Sequence, residues 1–247
     1  MSAYLAQVPH PVNPGEIRPG GCARMPETIP SAMSDAENSQ TSDTDAPAAA
    51  AAPARKRPKP GERRVQILQA LATMLEQPGA ERITTAALAA KLEVSEAALY
   101  RHFASKAQMF EGLIDFIEES VFSLINQIQE RHAGDGLRQA AGIATLLVQF
   151  AERNPGMTRV MVGDALVFEN ERLQQRMNQF FDKVESALRQ CLREAADAAG
   201  AAAPTVDAQV RASLVTAFLV GRLQRFARSG FRKTPSEHLD ACIARML

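Results

Sequence analysis

The chain has 247 residues, is 46% hydrophobic and lacks Trp, with Ala and Leu abundant, a composition suited to packed helices rather than to a β-sandwich. Lys plus Arg and Asp plus Glu number 28 each, so any attraction to a polyanion must come from how charge is distributed, not from its total. Cys22, Cys191 and Cys242 lie far apart without CxxC spacing, which speaks against a zinc finger or disulfide framework and for a reducing cytoplasm.

Residues 1–54 are rich in Pro, Gly, Ser and Ala without apolar periodicity, and are expected to be disordered. They carry two basic residues (Arg18, Arg24) against six acidic ones, a net of −4. Met33-Ser-Asp-Ala-Glu reads like a polar N-terminus, so translation is expected to begin there, a point intact mass decides. No signal peptide is read, and no apolar run approaches the ~20 residues of a membrane span. Residues 55–106 carry ten basic against five acidic residues, a net of +5. This begins with Arg55-Lys56-Arg57-Pro58-Lys59-Pro60, which its prolines keep extended. Such an arm is a solubilising linker or, before a DNA-binding fold, a phosphate or minor-groove contact.

A first helix is expected over about 61–77. Val65, Leu68, Leu71, Ala72 and Leu75 form its apolar stripe, Arg63 and Arg64 stay outside, and Pro78-Gly79 ends it. The stretch 83–110, ITTAALAAKLEVSEAALYRHFASKAQMF, then holds two short helical patterns and the start of a longer helix. Thr84 or Thr85 caps the first, with Ala87, Leu88 and Leu92 inward. Ser95 caps the second, with Ala98, Leu99 and Phe103 inward. Glu93 and Val94 leave room only for the turn of a helix-turn-helix. The second helix exposes Ser95, Glu96, Ala97, Tyr100, Arg101 and His102, a surface suited to a major groove and its phosphates. The competing reading is an ordinary helical hairpin with solvated charges.

Ser105 to Gln108 is a capping-box pattern opening a helix to about residue 129, with Phe110, Leu113, Ile114, Ile117, Val121, Leu124 and Ile128 on one face. Phe116 lies about 100° off that face, near Gly112, Ser120 and Ser123, as the floor of a docking groove or simply as packing against a neighbour. After a loop at 132–136, a helix over about 137–153 is apolar nearly all round and should be central. Asn154-Pro155-Gly156 breaks it before a helix over about 157–168. A long helix over about 170–198 repeats Leu173, Met177, Phe180, Val184, Ala187, Cys191 and Ala195 at spacings of three and four. Another, over about 206–229, places Val210, Leu214, Ala217, Phe218, Gly221 and Phe226 on one side. Two long helices with surplus apolar surface predict a four-helix homodimer interface. A terminal helix spans about 235–246.

No GxSxG, GxGxxG, P-loop or HExxH occurs, and His10, His102, His132 and His238 have no metal-ligand spacing, so neither an enzyme nor a cofactor or metal is expected. VSEAALYRHFASK resembles the recognition helix and exit of the TetR family, which implies phosphate contacts for Tyr100, Arg101 and His102 and a Lys, here Lys106, opening the fourth helix. Glu93 departs from that resemblance, standing where many members carry Gly, and is strained if its φ is positive. From about residue 64 onward the chain is similar, more narrowly, to the SlmA family of nucleoid occlusion factors, TetR-fold proteins. The strings carrying this are RITTAALAAKLEVSEAALYRHFASKAQMFEGLIDFIEES, FAERNPGMTRVMVGDALVFENERLQQRMNQFF and, more loosely, RFARSGFRKTP.

That resemblance implies sequence-specific binding to double-stranded DNA and capture of the C-terminal tail of the division protein FtsZ, antagonising its polymers. It places the tail between the fourth and fifth helices, against Phe116, Leu146, Arg153 and Asn154. FtsZ tails are extended, partly apolar and acidic, so an aromatic floor beside Arg153 suits one. Arg153 and Asn154 also have structural alternatives, as a helix-terminal cation and a cap. The expected fold is all-α and TetR-like: an extension with a basic arm (1–60), a helix-turn-helix domain (61–106) and a helical dimerisation and partner-binding domain (107–247). Arg64, Thr84, Thr85, Ser95, Tyr100, Arg101, His102 and Lys106 are the expected phosphate contacts, and Glu96 and Ala97 face base edges. The expected protein is a cytoplasmic, nucleoid-associated homodimer, with higher assembly on DNA left open and no membrane role. The alternative is a TetR-type repressor released from its operator by a small molecule held inside the helical bundle.

Overall fold

The computed structural model describes residues 61–77 and 83–247. The chain divides into two units, Met1–Arg63 and Arg64–Leu247. The acidic segment 1–54, the basic arm 55–60 and the Pro78-Gly79 stop lie outside the described residues. Those described are helical and contain no strand: α1 Glu62–Leu75, α2 Thr85–Lys91, α3 Glu96–Tyr100, α4 Lys106–Arg131, α5 Gly136–Arg153, α6 Pro155–Met161, α7 Glu171–Ala198, α8 Pro204–Arg228 and α9 Leu239–Met246.

Side-chain caps set most helix starts. Thr84, not Thr85, caps α2, its Oγ1 accepting from Ala87 N at 3.1 Å. Ser95 Oγ accepts from Ala98 N at 3.3 Å to open α3. Ser105 Oγ accepts from Gln108 N at 3.2 Å to open α4. The Gln108 amide oxygen reaches one residue further back than a standard capping box, accepting from Ala104 N at 2.8 Å. Asp135 and Asn170 cap α5 and α7. Between α2 and α3, Glu93 holds φ at 53°, the left-handed conformation that a non-glycine residue adopts at a cost of about 1–2 kcal/mol. The turn is closed by Val94 N donating to Ala89 O at 3.0 Å.

α5 runs through the middle, packed on α4, α6, α7, α8 and α9, with Ile143, Leu147, Val148 and Ala151 wholly buried. Large apolar side chains fill the space around it, among them Leu113, Ile117 and Val121 from α4 and Phe180, Val184 and Leu188 from α7. α7 and α8 pack along each other.

Five expectations move. The buried line of α1 is Ile67, Leu71 and Leu75, while Val65 and Leu68 are only half-buried, since Leu68 lies at the edge over Gly112 of α4. In α4, Met109 and Ile125 are buried and Leu124 and Ile128 half-exposed. The α7 seam begins at Leu173, Met177, Phe180 and Val184 but continues through Leu188, Leu192 and Ala196 in place of Ala187 and Ala195. A straight helix of ~3.6 residues per turn drifts from a 3.5 repeat, and the seam drifts with it. The sixth helix starts at Pro155, whose ring suits the first helical turn, and ends at Met161; Gly163 (φ 83°) and a 3₁₀ turn at Asp164–Leu166 follow. Gly156 is therefore helical, and its role is close approach: a Cβ there would overlap the carbonyl oxygen of Ala72 on α1. The last helix begins at Leu239 rather than 235, because residues 235–238 turn against α5, with Ser236 N donating to Glu152 Oε1 at 3.0 Å.

Candidate nucleic-acid interface and partner groove

α3 is anchored from beneath by Leu99 and Phe103, each 1% exposed, so Ser95, Glu96, Ala97, Tyr100, Arg101 and His102 all face solvent. Arg64 braces this helix from α1: its guanidinium stacks 4.1 Å over Phe103, and Nη1 donates to His102 O at 2.9 Å. Thr85 Oγ1 donates to Glu96 Oε2 at 2.6 Å, which tethers Glu96 to α2 and leaves Ala97, Tyr100 and Arg101 the less committed part of the face. Thr84 is exposed, and because its cap uses the oxygen as acceptor, its hydroxyl proton remains free to donate to a phosphate. Lys106 is ion-paired to Glu169, ahead of α7, so a phosphate would have to compete for it. Of the +5 borne by 55–106, the described residues carry five basic against four acidic groups, or +1; the remaining +4 lies on the arm and residues 78–82.

A line of charge joins α4 to α7. Glu111, Asp115 and Glu118 share one side of α4 and meet Arg172, Arg176 and Lys183. Arg176 is held 2.9 Å from Asp115 and 2.7 Å from Glu118. Desolvation disfavours its charge, but the two carboxylates outweigh that and raise its pKa.

Phe116 of α4 is half-buried, and Leu146 and Arg153 of α5 are half-buried as well. The short connection at 132–135 makes α4 and α5 antiparallel, so counting back from it sets Phe116 level with the last turn of α5, where Arg153 sits. Asn154 is different: it is only 8% exposed, and its Nδ2 donates to Phe150 O at 2.9 Å, closing the C-terminal end of α5. Phe116, Leu146 and Arg153 are thus each partly exposed, whereas Asn154 is a buried structural cap. Residues that the sequence reading left aside also gather into a cleft, at the end of α8: Arg222, Arg225, Lys233, Thr234, Pro235 and Glu237. The basic run within RFARSGFRKTP was the available signal.

Residues 67–113 match the family described as bacterial regulatory proteins, tetR family, and residues 135–245 match the tetracyclin repressor-like C-terminal domain of SlmA-like type. The nucleoid occlusion factor SlmA of Aliivibrio fischeri is 52% identical over 184 residues, covering 74% of this chain and 93% of the relative. SlmA of Vibrio cholerae is 53% identical over 179 residues, covering 72% and 90%. The chain belongs to the SlmA family of nucleoid occlusion factors. Among solved structures, the fatty acid degradation regulator FadR of Bacillus halodurans superimposes on this SlmA-family chain with a TM-score of 0.61 at 15% identity, covering 76% of this chain and 96% of that one. At that identity the likeness establishes a shared TetR-like fold and nothing further.

Proposed function

We propose that this protein is a dimeric nucleoid occlusion factor that binds specific chromosomal sites through α2 and α3, captures the FtsZ C-terminal tail and antagonises FtsZ assembly, so that no septum forms over the nucleoid. The observation that carries this reading is a single alignment: the similarity to proteins named nucleoid occlusion factor SlmA runs through the reading head and the C-terminal helices together, over 93% of one relative. The work is binding, not bond chemistry. Arg101, Tyr100, His102, Ser95 and Thr84 hold phosphates, with Arg64 bracing the helix that presents them, and Ala97 meets base edges. Phe116 and Leu146 take the apolar part of the tail and Arg153 a carboxylate. α4 spans both tasks, since it starts beside the reading head and carries Phe116 in its third turn.

Dimerisation is assigned to α8. Val206, Val210 and Leu214, spaced by four, are 65%, 53% and 56% exposed and continue into Ala217 and Gly221, an apolar stripe that a protomer alone leaves in water. Such a dimer would act in the cytoplasm, on the nucleoid. The repressor alternative needs a ligand cavity within the bundle; the interior around α5 is occupied by packed aliphatic side chains.

The test is binding of a labelled FtsZ C-terminal tail peptide to the full-length protein, wild type beside Phe116→Ala. Saturable binding that the substitution weakens at least tenfold is the expected result. An absence of binding, with and without specific DNA, would return the protein to the ordinary repressor class.

A further inference from the structure

Residues 222–238 contain five basic residues, Arg222, Arg225, Arg228, Arg232 and Lys233, against one acidic, Glu237, a net of +4. The linker after α8 is folded tightly. Phe231, at φ 63°, donates its N–H to Phe226 O at 3.0 Å, and the two rings meet edge-on at 5.2 Å. Ser229 Oγ accepts from the N–H groups of Arg232 and Lys233 at 3.1 and 2.9 Å.

Two of the five cations are used internally. Arg222 donates to Glu237 O at 2.8 Å and stacks over Phe218, and Arg232 Nε donates to Ser229 O at 2.9 Å. Arg225, Arg228 and Lys233 pair with no carboxylate among the described residues, whereas Lys106, Arg172, Arg176 and Lys183 on the α4–α7 side are all paired. Beside them Arg159 of α6 stacks 5.2 Å from the Phe231 ring centre, and its buried Nε has no partner. Like charges held this close repel, and the repulsion is relieved when an anion arrives.

We propose that this cleft, through Arg225 and Lys233, is a second contact for the same partner tail and binds acidic side chains flanking the segment that sits against Phe116. The inference rests on the tail-groove reading above. What ties the two surfaces together is the bond from Ser236 N to Glu152 Oε1, which holds the linker against the α5 residue next to Arg153. The linker that carries Lys233 therefore meets α5 at the residue before Arg153. The cleft is lined by three cations, Arg222, Arg225 and Lys233, against one carboxylate, Glu237, with Thr234 and Pro235, which suits single carboxylates, and it is built from elements other than the α3 face assigned to duplex DNA.

The experiment uses full-length protein, with dimer mass checked by ultracentrifugation. Tail peptide is titrated in native form and with its Asp and Glu changed to Asn and Gln. Wild type is compared with the charge-neutral Arg225→Gln/Lys233→Gln and with Phe116→Ala. The expected result is roughly tenfold weaker binding of the native tail to Arg225→Gln/Lys233→Gln at low salt, a flatter salt dependence, and no difference between wild type and Arg225→Gln/Lys233→Gln for the amide tail. Phe116→Ala should weaken both peptides. Unchanged affinity of Arg225→Gln/Lys233→Gln for the native tail would overturn the cationic contact while leaving the groove intact. Loss of duplex affinity with tail affinity unchanged would also overturn it, making the cleft a nucleic-acid surface. No tail binding by wild type would sink both readings at once.

Discussion

Gly156 and Arg101 show how differently single residues act here. Gly156 lies where α6 crosses α1 so closely that the Ala72 carbonyl occupies the space of a Cβ. Gly156→Ala must push the two helices apart, and the overpacking should cost about 3 kcal/mol, read as a lower midpoint in urea with an unchanged slope. Arg101 is exposed at the end of α3, and no carboxylate among the described residues pairs with it. Arg101→Ala should leave stability nearly unchanged but weaken DNA binding on every sequence and lower the salt slope by about one. An unchanged salt slope would remove the assigned phosphate contact. Glu93 stands where the TetR family often carries Gly, which left a positive φ as a condition, and the structure shows the residue at φ 53°. Asn154 shows the opposite. Its place before Pro155 allowed either a cap or a contact residue, and only its burial and its bond to Phe150 O show that its amide is committed inward.

Among the elements, α4 connects the proposed DNA surface to the proposed tail groove, and its position is set by the charges facing α7. Arg176 is the centre of that line, bonded to both Asp115 and Glu118. Arg176→Ala would leave Glu118 with Lys183 alone and Asp115 with no cation among the described residues. With Arg176 partly exposed the loss should be about 1 kcal/mol, and it should shrink by half or more in about 0.5 M salt. Thermal melts at two salt concentrations measure this, and a salt-independent difference would mean that the side chain acts through packing instead. Charge residues at i, i+4 and i+7 on α4 were visible in the sequence, but not that α7 would answer them, because the pairing joins residues about sixty positions apart in the chain.

At the scale of the molecule, the apolar stripe of α8 is the proposed dimer face. Val206, Val210 and Leu214 cost little to a lone protomer's fold, being outside its core, yet they leave an oily line in water. Leu214→Asp should therefore yield a folded monomer with unchanged helical content by circular dichroism, half the mass by ultracentrifugation, and specific DNA affinity at least a hundredfold lower, since one reading head is lost per site. A dimeric Leu214→Asp protein would move the interface elsewhere.

The amino-acid sequence by itself determined the helical class, the caps at Ser95 and Ser105, the helix-turn-helix and the part of the α8 face at Val210 and Leu214, because each depends on neighbours within two turns of helix, while the choice of Thr84 over Thr85 and the burial of Phe226 came only with the structure. Helix bounds at α6 and α9 and the drift of the α7 seam were not legible, since they follow from what each segment meets across the bundle. Only the tertiary structure showed Lys106 paired to Glu169 and Glu96 tethered to Thr85, and it alone gathered the unpaired cations of the α8–α9 linker beside α5. The physical reason is the same in each case: a charge visible in a sequence becomes a contact or a free surface only when folding places, or withholds, its opposite.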